Sequence, residues 1–282
     1  MAALVLDKCY LQAATWQTVC TLAEEHDLVM SGGLFHELLS GNPKGRAKVF
    51  SKLPRKDNPV HLVDNLTSLL RHEGQTHTPA GDILAHTLGL TFRFNDGLRS
   101  EDYALPPDAV EGVADNVAMT AALVESYVAR TNELVDMFHR VTKGSDDARR
   151  NALAEIEEEI ANPENVLAFY RTLSNPELPP ADLLTSEWAT LRFYQVGLLF
   201  SLHTIYRHRG PVPATLSPRE FERLEHDIHD SVALILGTLS GALATDEKKL
   251  QRWFRLLRPD GLLIPSVQPR GTAAQAYHDK QD

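Results

Sequence analysis

The first forty residues constrain the fold more than any other stretch. Ala2 to Leu6 is a short, continuous apolar run without a helical period, as expected of a strand buried on both faces. Asp7 stops it. Thr15 to Glu25 then carries Trp16, Val19, Cys20 and Ala23 at helical spacing, which predicts an amphipathic helix. Leu28 to Met30 is a second short apolar run, broken by Ser31-Gly32-Gly33, and Leu34 to Leu39 opens another helix bearing Glu37. Strand, helix, strand, helix at this pace is the rhythm of a parallel sheet. Sites in such sheets form beyond the carboxyl ends of the strands. Asp7 stands at such an end, and Glu37 one loop and one helical turn past the next.

The rest of the chain reads less evenly. Gly41 to Lys56 is polar, basic and punctuated by Gly and Pro, so a loop or mobile connection is expected. Val60 to Arg71 spaces its apolar residues like a helix, Gly74 to Gly81 reads as a break, and Ile83 to Phe94 fits strand or helix equally. Pro106-Pro107 marks a boundary. Helical patterns then follow over Asp108 to Thr142, Ser145 to Ala161, a short piece to Leu173, and Leu183 to Tyr206. Beyond the hinge at Arg209 to Pro213, Ser217-Pro218-Arg219-Glu220 has the residues of a capping box, with Pro at the first helical position. The helix it opens runs to, or bends near, Asp230 and ends at Gly241. Ala242-Leu243-Ala244 reads as a strand ending at Thr245-Asp246, Glu247 to Leu257 as a helix, and Gly261 to Ile264 as a last strand. The expected architecture is α/β. A central parallel sheet is built from both chain ends (1–105 and 210–267), an all-α insertion spans 106–209, and a disordered tail covers 268–282.

Composition adds limits. At 282 residues, 43% hydrophobic, the chain can bury a large core. It lacks an apolar run long enough for a transmembrane helix and a basic leader before Asp7, so a cytoplasmic protein without a membrane partner is expected. Cys9 and Cys20 make no disulfide framework and read as buried thiols on apolar faces. The net charge of −10 is uneven. Residues 101 to 182 hold 17 acids against 6 bases, a balance of −11, so the remainder sums to +1. That remainder has two basic stretches, Lys44 to Lys56 and Lys248 to Arg258, which could contact phosphates or simply be solvated helix faces.

Four acids stand out. Asp7 ends a strand, Glu37 lies on the helix after the second, Asp230 interrupts an apolar helical run, and Asp246 ends a late strand. Asp7 and Asp246 also suit helix caps, but a carboxylate on an apolar helix face is costly without a counter-charge. The segments LVLDKCYLQ, LFHELLS and HDSVALILGTLSGALATDEKKL resemble the PIN-domain family of metal-dependent nucleases. The likeness covers about 1 to 40 and 217 to 265, and the long middle departs from it. It implies a PIN-like topology and an acid set of Asp7, Glu37, Asp230 and Asp246, with Thr245 as hydroxyl partner. Asp227, one turn before Asp230, is a rival metal ligand. The implied cofactor is Mg2+ or Mn2+, and the implied activity is endoribonucleolytic phosphodiester hydrolysis, on RNA and less often DNA. Lys44, Arg46, Lys248 and Lys249 are the candidate backbone contacts.

Two other readings compete. A catalytically idle PIN-like scaffold would bind RNA, a protein partner or a second copy through the acidic helical insertion. His226-Asp227 and His229-Asp230 resemble the HD-type metal phosphohydrolases, but those are all-helical and need a further distant His and Asp. His36, beside Glu37, suits a helix surface. No phosphate-binding glycine loop is present.

Overall fold

The computed structural model describes residues 2–63, 66–88, 92–173 and 177–266. The tail expected over 268–282 lies outside the described residues. Five parallel strands form one sheet in the order β3-β2-β1-β4-β5: β1 (Ala2–Leu6), β2 (His26–Ser31), β3 (His61–Val63), β4 (Ala242–Ala244) and β5 (Leu262–Ile264). Both chain ends therefore contribute, as the alternating pattern predicts. The sheet is mixed in origin, with β1 hydrogen-bonded to β2 on one side and to β4, over 230 residues later, on the other.

Alternate strand residues supply two cores, because successive side chains leave opposite faces of a pleated sheet. Ala3, Val5, Val29, Val63 and Leu243 face one way, and Leu4, Leu6, Leu28, Met30, Ala242 and Ala244 the other. The second face is covered by α1 (Lys8–Ala13), α2 (Trp16–Glu25), α3 (Gly32–Ser40) and α4 (Pro43–Phe50). The first is covered by α5 (Leu66–Thr76), α7 (Asp146–Ala161), α8 (Pro163–Tyr170), α9 (Ala189–His208), α10 (Pro218–Ser240) and α11 (Lys248–Leu257). The 27-residue α6 (Pro107–Glu133) lies outside, tied to α9 by Tyr127 Oη to Thr204 Oγ1 at 2.9 Å and Thr131 Oγ1 to Ser201 Oγ at 3.0 Å. The helical segment 106–209 thus shares its core with the sheet: Ile156, Val166 and Leu199 belong to the same apolar cluster as Val5 and Val29.

Local chemistry explains most element ends. Thr15 caps α2, Ser31 caps α3, and Ser217 with Glu220 closes the capping box of α10. Gly241 ends α10 at φ 77°, a conformation in which a side chain would be strained. Three expectations need correction. Residues 43–50 are helical, not a loop: Asn42 caps α4, Pro43 opens it, and Ala47, Val49 and Phe50 are buried. The apolar residues of 60–71 do not make one helix, since 61–63 is the edge strand β3 and α5 begins at Leu66 and passes through Gly74. Finally, the helix expected to stop or bend near Asp230 passes through it without a break, and Asp230 lies in the interior of α10.

Candidate active site

The strand order fixes where a site can form. From β1 the chain moves one way across the sheet to β2 and β3, and from β4 it moves the other way to β5. The reversal lies between β1 and β4, and loops diverging from such a point leave a crevice beyond the carboxyl ends of the strands. Asp7 and Thr245 are the first residues past those two ends. Asp7 N donates to Ala244 O at 3.0 Å, carrying the ladder one residue further.

Asp7 is 5% exposed and fully engaged. Its Oδ1 accepts from Lys8 N at 2.6 Å, capping α1, and its Oδ2 accepts from Thr245 Oγ1 at 2.7 Å and Cys9 Sγ at 2.8 Å. The Thr245 hydroxyl therefore positions Asp7 and is itself fully buried. Cys9 is unreactive but not without a partner. Burial first, then the Asp7 charge, push it up to about 12, so it remains a thiol and a donor.

Opposite Asp7, α10 presents Asp227 and Asp230 one turn apart, both turned toward α11. Lys249 Nζ lies 2.6 Å from Asp227 Oδ1 and 3.4 Å from Asp230 Oδ2. Arg207, in the last turn of α9, reaches Asp227 Oδ2 at 3.4 Å. Asp230 is pushed up to about 7: burial is the main cause, Lys249 opposes it, and the charges of Asp7, Asp227 and Glu247 add to it. Glu37, on α3, accepts Lys8 Nζ at 2.6 Å and has His226 Nε2 at 3.9 Å. Burial lowers the nearby His229 below its usual range. These groups surround a cavity of about 690 Å³.

Of the acids singled out in the sequence, Asp7, Glu37, Asp227 and Asp230 line this cavity. Asp246 does not. Its carboxylate accepts from Ser266 N at 2.8 Å and from Ser266 Oγ, tethering the chain after β5. The next residue, Glu247, lines the cavity instead. The four-acid pocket is corrected accordingly: three of the four converge, Asp227 joins them, and Glu247 replaces Asp246. Glu247, not Asp246, also holds the N-cap position of α11, without a side-chain bond.

The basic candidates divide. Lys249 sits inside the cavity, whereas Lys248 and Lys44 are exposed and outside its lining. Arg46 is 5% exposed and donates to Tyr103 O, so it braces the loop before α6 and is not free to hold a substrate. Lys52, in the same basic stretch, is likewise spent on Leu11 O at 2.7 Å and Gln12 O at 2.6 Å. His36 is partly buried with its ring below the usual titration range, and it does not line the cavity.

Several lining residues carried no prior signal: Lys8, Cys9, Glu247, and His203, Tyr206 and Arg207 from the end of α9. The last three are spaced to share one helix face, and that polar patch closing an otherwise apolar helix was the available clue. Through them the 106–209 segment forms one wall of the cavity.

Among the described residues, no three His, Cys, Asp or Glu side chains are grouped as a metal site. Ammonium groups stand between the carboxylates instead. The donors present are carboxylate oxygens, the type a hard divalent cation takes, and each is already met: Glu37 by Lys8, Asp227 and Asp230 by Lys249, Asp7 by Thr245 and Cys9. No helix among the described residues is long and apolar enough to cross a membrane. Comparison with known proteins gives no match to a family model, to a curated protein or to a solved structure.

Proposed function

We propose that this cavity is the active site of a metal-dependent phosphodiester hydrolase with PIN-like topology, acting as an endoribonuclease. One observation carries the reading: Asp7, at the strand end beside the sheet's reversal point, faces Asp227 and Asp230 across a single cavity, with Glu37 and Glu247 on its wall. Asp7, Asp227, Asp230 and Glu37 are the carboxylates that would hold Mg2+ or Mn2+, with Lys8 and Lys249 giving up their contacts to it; when bound it would supply an activated water and offset charge growing on the scissile phosphate.

The chain's own residues do the rest. Thr245 and Cys9 fix the Asp7 carboxylate in one rotamer by donating to the same oxygen. Lys8, Arg207 and Arg223 bring positive charge to the cavity lining, which favours an anionic backbone that the acids alone would repel. Asp230 is buried and shares the site with the Asp7 and Asp227 charges, so its ionised form gains from a cation placed in the cavity.

A second reading is favoured by a different observation. The outer helix α6 exposes Val110 (53%) and Val117 (51%) on one face and Met119 (46%) and Leu123 (46%) on the opposite one, apolar side chains that a protein partner would cover. On that reading the chain is an idle PIN-like scaffold. The deciding experiment is cleavage of a mixed-sequence fluorogenic RNA, with DNA alongside, in Mn2+, Mg2+ or chelator. Wild type should cleave RNA only with metal. Asp7→Asn and Asp230→Asn should each lose at least about 100-fold with unchanged circular dichroism. Metal-independent cleavage, or cleavage that survives both substitutions, refutes the enzyme reading. No cleavage of either nucleic acid, with specific capture of a partner lost on Val117→Asp, establishes the scaffold.

A further inference from the structure

We propose that His203 is the residue by which the cavity selects ribose over deoxyribose: its ring offers a fixed acceptor to the 2′-hydroxyl of a bound strand. This rests on the nuclease reading above and adds the choice of RNA.

His203 lies near the end of α9 and lines the cavity with Tyr206 and Arg207 from the same helix. Behind it stands Glu157 of α7, a carboxylate with no exposure. One Glu157 oxygen accepts His203 Nε2 at 2.6 Å and Trp253 Nε1 at 2.8 Å, and the other accepts Arg252. An indole N–H and a guanidinium can only donate, so Glu157 is the acceptor for all three. The imidazole hydrogen is thereby placed on Nε2, and Nδ1 keeps its lone pair. The Trp253 ring meets the imidazole edge to face, with centroids 4.7 Å apart, which holds the plane of the ring. Burial, and next the Lys249 charge, lower the affinity of the ring for a second proton. Among the described residues nothing bonds Nδ1, and that nitrogen is not enclosed. A carboxylate hidden in the core, touching no ligand, thus sets one tautomer of a residue on the cavity wall.

The chemistry of that nitrogen narrows what can meet it. An acceptor without a hydrogen repels phosphate and carboxylate oxygens and pairs only with O–H or N–H. Arg207 is four positions on, so the two side chains share a helix face with Cβ atoms about 5–6 Å apart. Its guanidinium reaches Asp227 through one nitrogen at 3.4 Å and keeps its other donors for a phosphate. In every ribonucleotide, whatever its base, the hydroxyl beside a phosphate is the ribose 2′-OH, and deoxyribose lacks it. A site built to hydrogen-bond a hydroxyl rejects the analogue without one, because its acceptor is then left unpaired.

The test is binding in chelator, by fluorescence anisotropy, of an RNA decamer and a uracil-containing DNA decamer of the same sequence. Wild type should bind RNA about 10-fold more tightly. His203→Phe keeps a ring against Trp253 and leaves Glu157 two donors, and it should bring RNA down to the affinity of DNA. A preference that survives in His203→Phe, an equal loss for both strands, or no preference in wild type overturns the proposal. So does binding of neither strand. The nuclease reading is judged separately, by metal-dependent cleavage. A second measurement needs no variant. Nitrogen magnetic resonance should show His203 with hydrogen on Nε2 and none on Nδ1, and the Nδ1 signal should move on adding the RNA and stay on adding the DNA. Hydrogen on Nδ1, or a signal indifferent to RNA, refutes the assignment.

Discussion

Replacing Asp230 with Asn should stabilise the metal-free protein, and only above acidic pH. Asp230 holds its proton until about pH 7 in the folded chain, against an ordinary value of 3.8. Between those values the folded state binds more protons than the unfolded state, so the free energy of unfolding falls as pH rises. Below the lower value both states are protonated and nothing is lost; above the upper value the full cost is present. Three orders of magnitude in proton affinity, at about 1.4 kcal/mol for each, amount to about 4 kcal/mol. Asparagine has nearly the shape of the protonated acid and never ionises. Its other consequence is small, because Lys249 keeps Asp227 at 2.6 Å and loses only the longer contact at 3.4 Å. The advantage of Asp230→Asn should therefore be near zero at pH 4 and grow to about 4 kcal/mol above pH 7. Urea unfolding in chelator, followed by tryptophan fluorescence from pH 4 to 8.5, measures it directly. A difference that does not vary with pH, or an Asn variant weaker than wild type at pH 8, refutes the account of Asp230 as a carboxylate ionised at a cost.

Two further outcomes follow from residues outside the cavity. Glu73, with no exposure, accepts from Ala80 N at 3.0 Å, Ala189 N at 2.8 Å, Thr190 N at 2.7 Å and Thr190 Oγ1 at 2.7 Å, so it serves as the missing cap of α9 from a distant helix. Glu73→Ala leaves those buried donors without a partner and should cost about 3 kcal/mol or more, read as a large fall in thermal midpoint. Ser217→Ala removes the hydroxyl that accepts Glu220 N at 3.3 Å and half of the capping box, and should cost about 1 kcal/mol in urea unfolding.

How far the sequence could be read depended on the distance over which each signal acts. The caps at Thr15, Ser217 and Gly241 and the apolar runs of β1, β2 and β4 are local, and each is where its residues predict. The failures came from short or composite patterns. Val60, Val63, Leu66, Leu69 and Leu70 have helical spacing only because a three-residue edge strand and a new helix abut, and three residues cannot display a period of two. In α4 the basic residues hid the helix, because Arg46 is buried against Tyr103 O where a charge was read as solvent-facing.

The cavity illustrates the same limit at finer scale. Which acids gather near Asp7 could be inferred only in part: Glu37, Asp227 and Asp230 line the same cavity, whereas Asp246 turns away and Glu247 takes its place. Which counter-charges meet them could not, since Lys8 reaches Glu37 across 29 positions and Lys249 reaches Asp227 across 22. The turn Thr245-Asp246-Glu247 sharpens the point. Along an extended backbone, consecutive side chains leave in opposite directions. Thr245 turns to Asp7, Asp246 to Ser266, and Glu247 to the cavity. An acidic pair at a strand end therefore announces one carboxylate for a site and one for a tether. Only the register of the strand decides which is which, and that register is set here by Val5 opposite Leu243 and Leu6 opposite Ala244.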